Sequence, residues 1–158
     1  MHPVREKMNR ALKAIAVVKL RQLGFKGSFP HFRRIYQEHA DLAVFQFNKY
    51  GGSFVVEIAS LTTEQVAAHW KADLSLNNAT VYDANKRHRL GAVGDGDNWF
   101  VFGMENDKPN HEQVEADSVY ESIAERVAAL FASEGGQWWA SSNPAFERDA
   151  PKAARPSI

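Results

Sequence analysis

Two apolar runs separated by a pair of glycines constrain the fold more than any other feature of this chain. The first run, residues 42–48, is apolar on both parities at its centre, which predicts a strand covered on both faces. The second run, residues 53–60, is rich in the β-branched and aromatic side chains that favour strands. Because Gly51 and Gly52 lie between the runs, they predict an antiparallel hairpin with a tight turn. Residues 39–41 predict another turn just before this hairpin.

Three more strands are predicted on either side of the hairpin. Residues 29–36 mix aromatic and basic side chains, and residues 87–93 and 99–103 are short runs with strand composition. The turn-rich residues 94–98 join the last two strands. Glu57 is the one acidic residue inside a predicted strand, and we expect it on the solvent-exposed side of that strand.

A long amphipathic helix is predicted near each end of the chain. In residues 3–23 the apolar side chains recur at steps of three and four residues, and Gly24 suits the left-handed residue that ends such a helix. The second helix begins at a capping box formed by Ser118 and Glu121. It ends at the glycine pair 135–136.

Helices that bracket a run of strands indicate an α+β fold. We predict an antiparallel sheet of about five strands flanked by an N-terminal and a C-terminal helix. A length of 158 residues suits one domain, placed at residues 1–142, followed by a disordered tail at residues 143–158. The apolar pair Trp138 and Trp139 is expected to dock on this domain. The predicted core side chains are Met8, Leu12, Ile15, Phe45, Phe47, Ile123, Val127 and Leu130.

Composition limits the chemistry that the chain supports. It has no cysteine, so disulfides, thiolate nucleophiles and cysteine-ligated zinc are excluded. The six histidines are scattered without ligand spacing, and we predict neither a metal nor a cofactor. No apolar run approaches the roughly 18 residues of a membrane-spanning helix, and the charged N-terminus is unlike a signal peptide. We therefore expect a cytoplasmic protein without a membrane partner, although a periplasmic protein can also lack cysteine.

Charge is distributed unevenly, although the formal net charge is zero. Residues 1–89 carry 14 Lys or Arg and 7 Asp or Glu, whereas residues 90–158 carry 5 and 12. Such asymmetry between halves indicates either an anionic partner for the basic half or two halves that neutralise each other.

A cluster of basic residues is the first candidate site. Arg33 and Arg34 lie on the first predicted strand, and Arg87, His88 and Arg89 lie on the fourth. Because side chains alternate along a strand, Arg87 and Arg89 share one face and His88 points to the other. If the two strands lie close together, their arginines form a patch suited to phosphate or carboxylate groups. The alternative is a solvated sheet face that the acidic half of the chain balances.

Gln46 is the second candidate, because it is polar within a run that is otherwise apolar. A polar side chain in a covered strand needs a partner. Gln46 is therefore expected either to form a hydrogen bond within the structure or to face a polar pocket.

Four phrases that occur in order resemble one protein family. They are residues 4–25 ending in Leu-Gly-Phe, Val-Phe-Gln-Phe-Asn-Lys-Tyr-Gly at residues 44–51, Arg-His-Arg-Leu-Gly at residues 87–91, and Gly-Gln-Trp-Trp at residues 136–139. Together they resemble the bacterial domain of unknown function 4304 across residues 4–142. The resemblance implies a helix–sheet–helix outline and carries over no catalytic residue.

The sequence lacks the standard catalytic signatures, including the nucleophile elbow, the phosphate-binding loop and the dinucleotide-binding glycine motif. We therefore expect a non-enzymatic binding protein whose partner is another protein. The first alternative is a weak binder of nucleic acid or of a phosphorylated or anionic ligand through the arginines. The second is an enzyme whose site is assembled from residues distant in sequence. The oligomeric state stays open.

Overall fold

Residues 2–143 are described by a computed structural model, in which both long helices pack on one face of a six-stranded antiparallel sheet. We call this side of the sheet the helix face. Residues 63–86 cover part of the opposite side, which we call the loop face. The predicted α+β class, with its antiparallel sheet and its two flanking helices, is confirmed.

The strands of this sheet are short at its edges and long at its centre. In chain order they are β1 (Lys26–Ser28), β2 (His31–Ile35), β3 (His39–Phe47), β4 (Ser53–Thr62), β5 (Arg87–Arg89) and β6 (Phe100–Val101). The order across the sheet is β1-β2-β3-β4-β5, and β6 also pairs with β4. A separate two-stranded ribbon joins β7 (Met104–Glu105) to β8 (Lys108–Pro109).

Each long helix contains one wider π-helical turn. The N-terminal helix comprises α1 (Pro3–Ala11), a π turn (Leu12–Ala16) and α2 (Val17–Gln22). The C-terminal helix comprises α4 (Asp117–Leu130), a π turn (Phe131–Gly135) and α5 (Gly136–Ser142). Between them lie the short α3 (Thr63–Ala67) and a 3-10 turn (Val81–Asp83).

The central hairpin of β3 and β4 is confirmed, with Phe47 opposite Phe54 beside the turn. Gly51 and Gly52 both have positive φ angles, which favour glycine at the turn. The predicted turn at residues 39–41 is wrong, because these residues already pair in β3. The chain turns earlier, where the Tyr36 backbone N–H donates to the carbonyl of His39 at 2.8 Å.

The N-terminal helix ends as the sequence predicts. The Phe25 N–H donates to the Leu20 carbonyl at 2.9 Å, and the Gly24 N–H donates to the Arg21 carbonyl at 3.0 Å. With Gly24 at φ 97°, these bonds form a Schellman motif that satisfies carbonyls at the helix end.

The predicted boundaries of the C-terminal helix are wrong at both ends. Ala116 occupies the N-cap position and makes no side-chain cap bond, so Ser118 lies inside the first turn. At the other end the chain stays helical through both glycines and reaches Ser142. Tertiary packing explains the extension, because Gly135 leaves room for the Trp139 ring, which a Cβ at residue 135 would meet at 3.2 Å. This packing outweighs a helix-propensity cost of about 1 kcal/mol per glycine.

The main core lies between the sheet and the two long helices. Of the predicted core side chains, Met8, Leu12, Phe45 and Val127 are buried. The others pack against that core while partly buried; they are Ile15, Phe47, Ile123 and Leu130. Trp139 is 2% exposed and Trp138 is partly buried, so the tryptophan pair docks as predicted.

A second apolar layer lies on the loop face, so the centre of β3 is covered on both faces as predicted, although the segment that covers it was not predicted. Residues from β3 and β4, such as Leu42 and Ala59, pack there against Ala79, Val81 and Ala84. The covering segment is irregular, so its sequence has no period that indicates burial. Of the predicted tail, Asn143 is buried, and residues 144–158 lie outside the described residues.

Candidate binding surface

The strand register separates the predicted site residues onto the two faces of the sheet. Residues that are directly opposite in neighbouring strands share a face. Arg33 and Arg87 lie in the same row of paired residues, which crosses β3 and β4. Arg89 pairs with Glu57 and lies on the same face of the sheet. Gln46 has the same parity, so these four predicted residues lie on the loop face. Arg34 and His88 have the opposite parity and point into the helix face, as alternation predicted for His88.

A buried carboxylate joins two of the arginines. Glu57 is 6% exposed, and its Oε2 accepts from Arg89 Nε at 2.6 Å while its Oε1 accepts from Arg87 Nη1 at 3.3 Å. Arg89 also donates through Nη1 to Asp97 Oδ1 at 3.2 Å. The prediction that Glu57 is solvent-exposed is therefore wrong, because the two arginines of β5 satisfy its charge within the sheet.

Arg33 and Arg87 hold the segment that covers the loop face. Arg33 Nε donates to the Ala79 carbonyl at 3.0 Å. Arg87 donates through Nε to the Ala84 carbonyl at 2.8 Å and through Nη2 to the Tyr82 carbonyl at 2.9 Å. Because β3 and β4 lie between their strands, the two arginines are about 14 Å apart, at three strand spacings. They share a face but stand on opposite sides of the covering segment.

Two aromatic rings lie beside the arginines and remain partly exposed. Tyr82 is 45% exposed, and its ring centroid lies 5.7 Å from the Arg87 guanidinium. Trp99 is 42% exposed, lies 5.9 Å from the Arg89 guanidinium and donates through Nε1 to Asp97 Oδ2 at 3.0 Å. Such contacts between a cation and a ring favour these positions even in water.

These residues belong to a mixed aromatic and polar area at the margin of residues 63–86. We define the open surface by six residues of the loop face: His31, Gln46, Tyr82, Arg89, Trp99 and Val101. Gln46 is exposed, so the expectation of a covered polar side chain is wrong at this position. The covered stretch of β3 ends at Phe45, one residue before Gln46.

The rings of His31, near Arg33, and of Tyr82, near Arg87, are uncharged at neutral pH. Burial, followed by the charge of Arg33, lowers the pKa of His31 below its usual value. Burial, followed by the negative charge of Glu57, raises the pKa of Tyr82. The open surface therefore presents neutral rings beside an arginine whose charge Glu57 and Asp97 balance.

Arg34 belongs to a buried cluster on the helix face. Its Nη2 donates to Asp41 Oδ2 at 2.7 Å, and its Nη1 donates to the Leu23 carbonyl at 2.9 Å. The guanidinium lies between the rings of Phe25 and Trp139, at 4.7 and 5.3 Å. Burial raises the pKa of Asp41 to about 6, although Arg34 opposes that shift. Arg34 therefore joins β2 to both helices.

His88 also faces the helices. Its Nε2 lies 3.3 Å from Glu134 Oε2, and its ring stacks with that of Trp138 at a centroid distance of 6.1 Å. The same Glu134 oxygen accepts from the Gly91 N–H at 2.6 Å. His88 thus fastens β5 to the π turn of the C-terminal helix.

Neither a metal site nor a membrane span is found in the described part of the chain. Within residues 2–143, no group of three or more His, Cys, Asp or Glu side chains is arranged to hold a metal ion. Over the same residues, every helix is too short or too polar to cross a bilayer.

Sequence reasoning missed the residues that shape the open surface. Tyr82 lies in a polar stretch without periodicity, and Trp99 was assigned only to a strand. The sequence did contain a signal for the role of Glu57. A carboxylate in an apolar strand can form ion pairs with both arginines of an Arg-x-Arg strand when the two strands pair. Their register was not deducible, because some 30 residues separate them.

The fold and its surface define an α+β protein whose antiparallel sheet is covered by helices on one side and partly open on the other. The family model of the domain of unknown function DUF4304 matches residues 16–141, so the chain belongs to this family. Neither the curated proteins nor the solved structures contain a match to the chain.

Proposed function

We propose that this chain is a non-enzymatic binding protein that engages another protein through the open surface. The observation that carries the proposal is the exposure of Tyr82 and Trp99 beside Arg89 on one face of the sheet. Tryptophan, tyrosine and arginine are the residues most enriched where protein interfaces concentrate their binding energy.

The rigidity of the surface supports the same proposal. Arg89 is fixed by Glu57 and Asp97, and Trp99 is fixed by its bond to Asp97. Tyr82 lies in the segment that Arg87 binds through two carbonyl groups. A surface whose side chains are already ordered loses less conformational entropy when a partner binds.

Charge balance favours a protein partner over a polyanion at this surface. Glu57 and Asp97 neutralise Arg87 and Arg89, which leaves little net charge to attract a row of phosphates. The complementary surface is one with apolar side chains for the two rings and a hydrogen-bond acceptor for Arg89.

A small anionic ligand is the second candidate, and Arg33 is the reason. Only Nε of Arg33 donates a hydrogen bond to a described residue. Its remaining N–H groups suit a carboxylate or phosphate oxygen. We retain this anion site as an alternative at the Arg33 side of the loop face.

The experiment compares two matched double variants in pull-downs from cells that naturally express the chain. Tyr82→Ala with Trp99→Ala removes both rings of the open surface. Tyr50→Ala with Trp70→Ala removes one tyrosine and one tryptophan elsewhere, which are 67% and 83% exposed. A protein retained by the wild type and by the control variant, but lost from the open-surface variant, is the expected result.

Retention of the same proteins by all three forms would contradict the assignment. The anion alternative predicts instead that inorganic phosphate or a dicarboxylate binds the wild type, and that Arg33→Gln abolishes that binding while the two ring variants keep it.

A further inference from the structure

The N-terminal quarter of the chain holds a long stretch without a negative charge. Residues 7–37 contain no Asp or Glu and include eight basic residues. These are Lys7, Arg10, Lys13, Lys19, Arg21, Lys26, Arg33 and Arg34. This stretch accounts for most of the positive excess of the basic half.

Ion pairs within residues 2–143 neutralise two of these eight residues. Lys7 pairs with Asp117, and Arg34 pairs with Asp41. The other six form no ion pair with any residue among 2–143; they are Arg10, Lys13, Lys19, Arg21, Lys26 and Arg33. Their positive charge is therefore available to a partner.

Three of the six lie around the edge strand β1, two on the N-terminal helix and one on the strand itself. Lys13 Nζ lies 5.4 Å from the ring centroid of Phe29, in the turn between β1 and β2. Arg21 Nη2 donates to the Gly27 carbonyl at 3.2 Å, and Lys26 precedes that glycine in β1. We define the basic flank as Lys13, Arg21 and Lys26.

The acidic C-terminal helix does not neutralise this flank. It approaches the N-terminal helix along Lys7, Arg10 and Ile15, where Asp117 and Glu121 line the groove between the helices. Lys13 and Arg21 instead turn toward the β1–β2 hairpin. The basic and acidic surfaces of the molecule are thus separated around the N-terminal helix.

We propose that the basic flank binds the phosphate backbone of a nucleic acid. Residues 13–21 rise about 12 Å along the helix, which suits consecutive phosphates. Phe29, partly buried beside Lys13, offers an aromatic edge next to the cations, a combination typical of single-strand binding.

The apolar content of this face argues against a membrane surface. Among the large hydrophobic residues of the helix, Val18 is exposed, at 45%. A helix that binds a bilayer interface presents several bulky apolar side chains opposite its basic face, and here that side is buried in the core. Charge attraction without insertion fits a nucleic acid better.

This site is independent of the proposed protein-binding surface. Lys13 and Arg21 belong to the helix layer, and Lys26 lies on the edge strand β1, where its register with Arg33 places it on the loop face. None of the three belongs to the open surface. Neither result bears on the other, because the two sites share no residue.

The test is a fluorescence-anisotropy titration of a labelled 20-nucleotide single strand with the full chain, starting in about 50 mM salt, where screening is weak. The flank variant carries Lys13→Gln, Arg21→Gln and Lys26→Gln. The control carries Lys49→Gln, Lys86→Gln and Lys108→Gln, which remove the same charge from residues that also lack ion pairs within residues 2–143.

We expect the wild type and the control to bind alike, and the flank variant to bind at least about tenfold more weakly. Each phosphate contact contributes about 0.7 to the slope of log K against log salt for a single strand, so the flank variant should lose about 2 from that slope. Equal losses in both variants would show attraction by net charge alone and overturn the site.

Two other outcomes also overturn the proposal. One is no binding by the wild type at about 50 mM salt, the condition that favours it most. The other is equal or tighter flank-dependent binding to vesicles of an anionic phospholipid, which would assign the same cations to a membrane surface. Circular dichroism of each variant verifies that it is folded.

Discussion

The two faces of the sheet are covered in different ways. On the helix face, two periodic helices bury aromatic and aliphatic side chains, and Arg34 and His88 form the polar contacts. On the loop face, an irregular segment lies on a few apolar residues and is held by arginine bonds to its carbonyl groups. The contrast shows that a segment with only two short helical turns can cover a sheet when side chains satisfy its backbone.

The comparison also locates the sites. On the helix face, the two long helices cover the sheet, so only their outward sides are available to a partner. The loop face is closed only as far as residues 63–86 extend, and the rings of Tyr82 and Trp99 lie at that limit. Function is therefore expected at the margin of the irregular cover.

The largest expected effect concerns the helix face. Val127→Asp places a charge at a position that is 0% exposed and belongs to the apolar core. The free-energy cost of an unpaired buried charge is comparable with the entire free energy of unfolding of a typical domain, about 5–15 kcal/mol. We therefore expect no cooperative folding. Circular dichroism and urea unfolding measure this. Val119→Asp, on the same helix at 40% exposure, is the control and should unfold like the wild type.

The loop face is tested at Glu57. Glu57→Gln removes the charge that two arginines share, and we expect a loss of about 3–5 kcal/mol in the free energy of unfolding. Asp97→Asn is the matched control, since that carboxylate is 58% exposed and its pair with Arg89 should contribute at most about 1 kcal/mol. Equal effects of the two changes would mean that Glu57 does not organise the loop face.

The buried carboxyl of the helix face predicts a pH dependence. Because the pKa of Asp41 rises from 3.8 to about 6 on folding, its stabilising contribution is complete below pH 3.8 and is lost as the pH rises through about 6. Asp41→Asn removes this titration. The unfolding free energy of the wild type, relative to the variant, should therefore fall by about 2.5 kcal/mol between pH 4 and pH 7. A difference that stays constant over this range would contradict the shift.

The smallest effect concerns Trp139, which joins the C-terminal helix to the sheet. Its Nε1 donates to the Ala59 carbonyl at 3.0 Å in a buried position. Trp139→Phe keeps an aromatic ring but removes the donor, so we expect a loss of about 1–3 kcal/mol. Trp138→Phe is the control, because Trp138 is only partly buried. Chemical denaturation compares the two, and a larger loss for Trp138→Phe would reverse the assignment.

The regular part of the fold was predictable because its physics is local. The glycine pair fixes the hairpin, and the Schellman ending follows from Gly24. The errors arose where distant contacts decide the outcome. Trp139 keeps the chain helical through Gly135 and Gly136, and the arginines of β5 bury Glu57.

The candidate site was predictable only in part for the same reason. Alternation placed Arg87 and Arg89 on one face, as observed. No local pattern could indicate that residues 79–84 lie between Arg33 and Arg87, or that Tyr82 and Trp99 join the same surface. These placements depend on the path of a segment without periodicity.

The most direct test of the open surface is site-specific photo-crosslinking in cells that naturally express the chain. A benzoylphenylalanine residue replaces Trp99 in one variant and Trp70 in another, both of which are exposed aromatic positions. If the open surface binds a protein, irradiation of the first variant gives a discrete adduct of higher mass that the second does not give. The same adducts from both positions, or no adduct from position 99, would contradict the account.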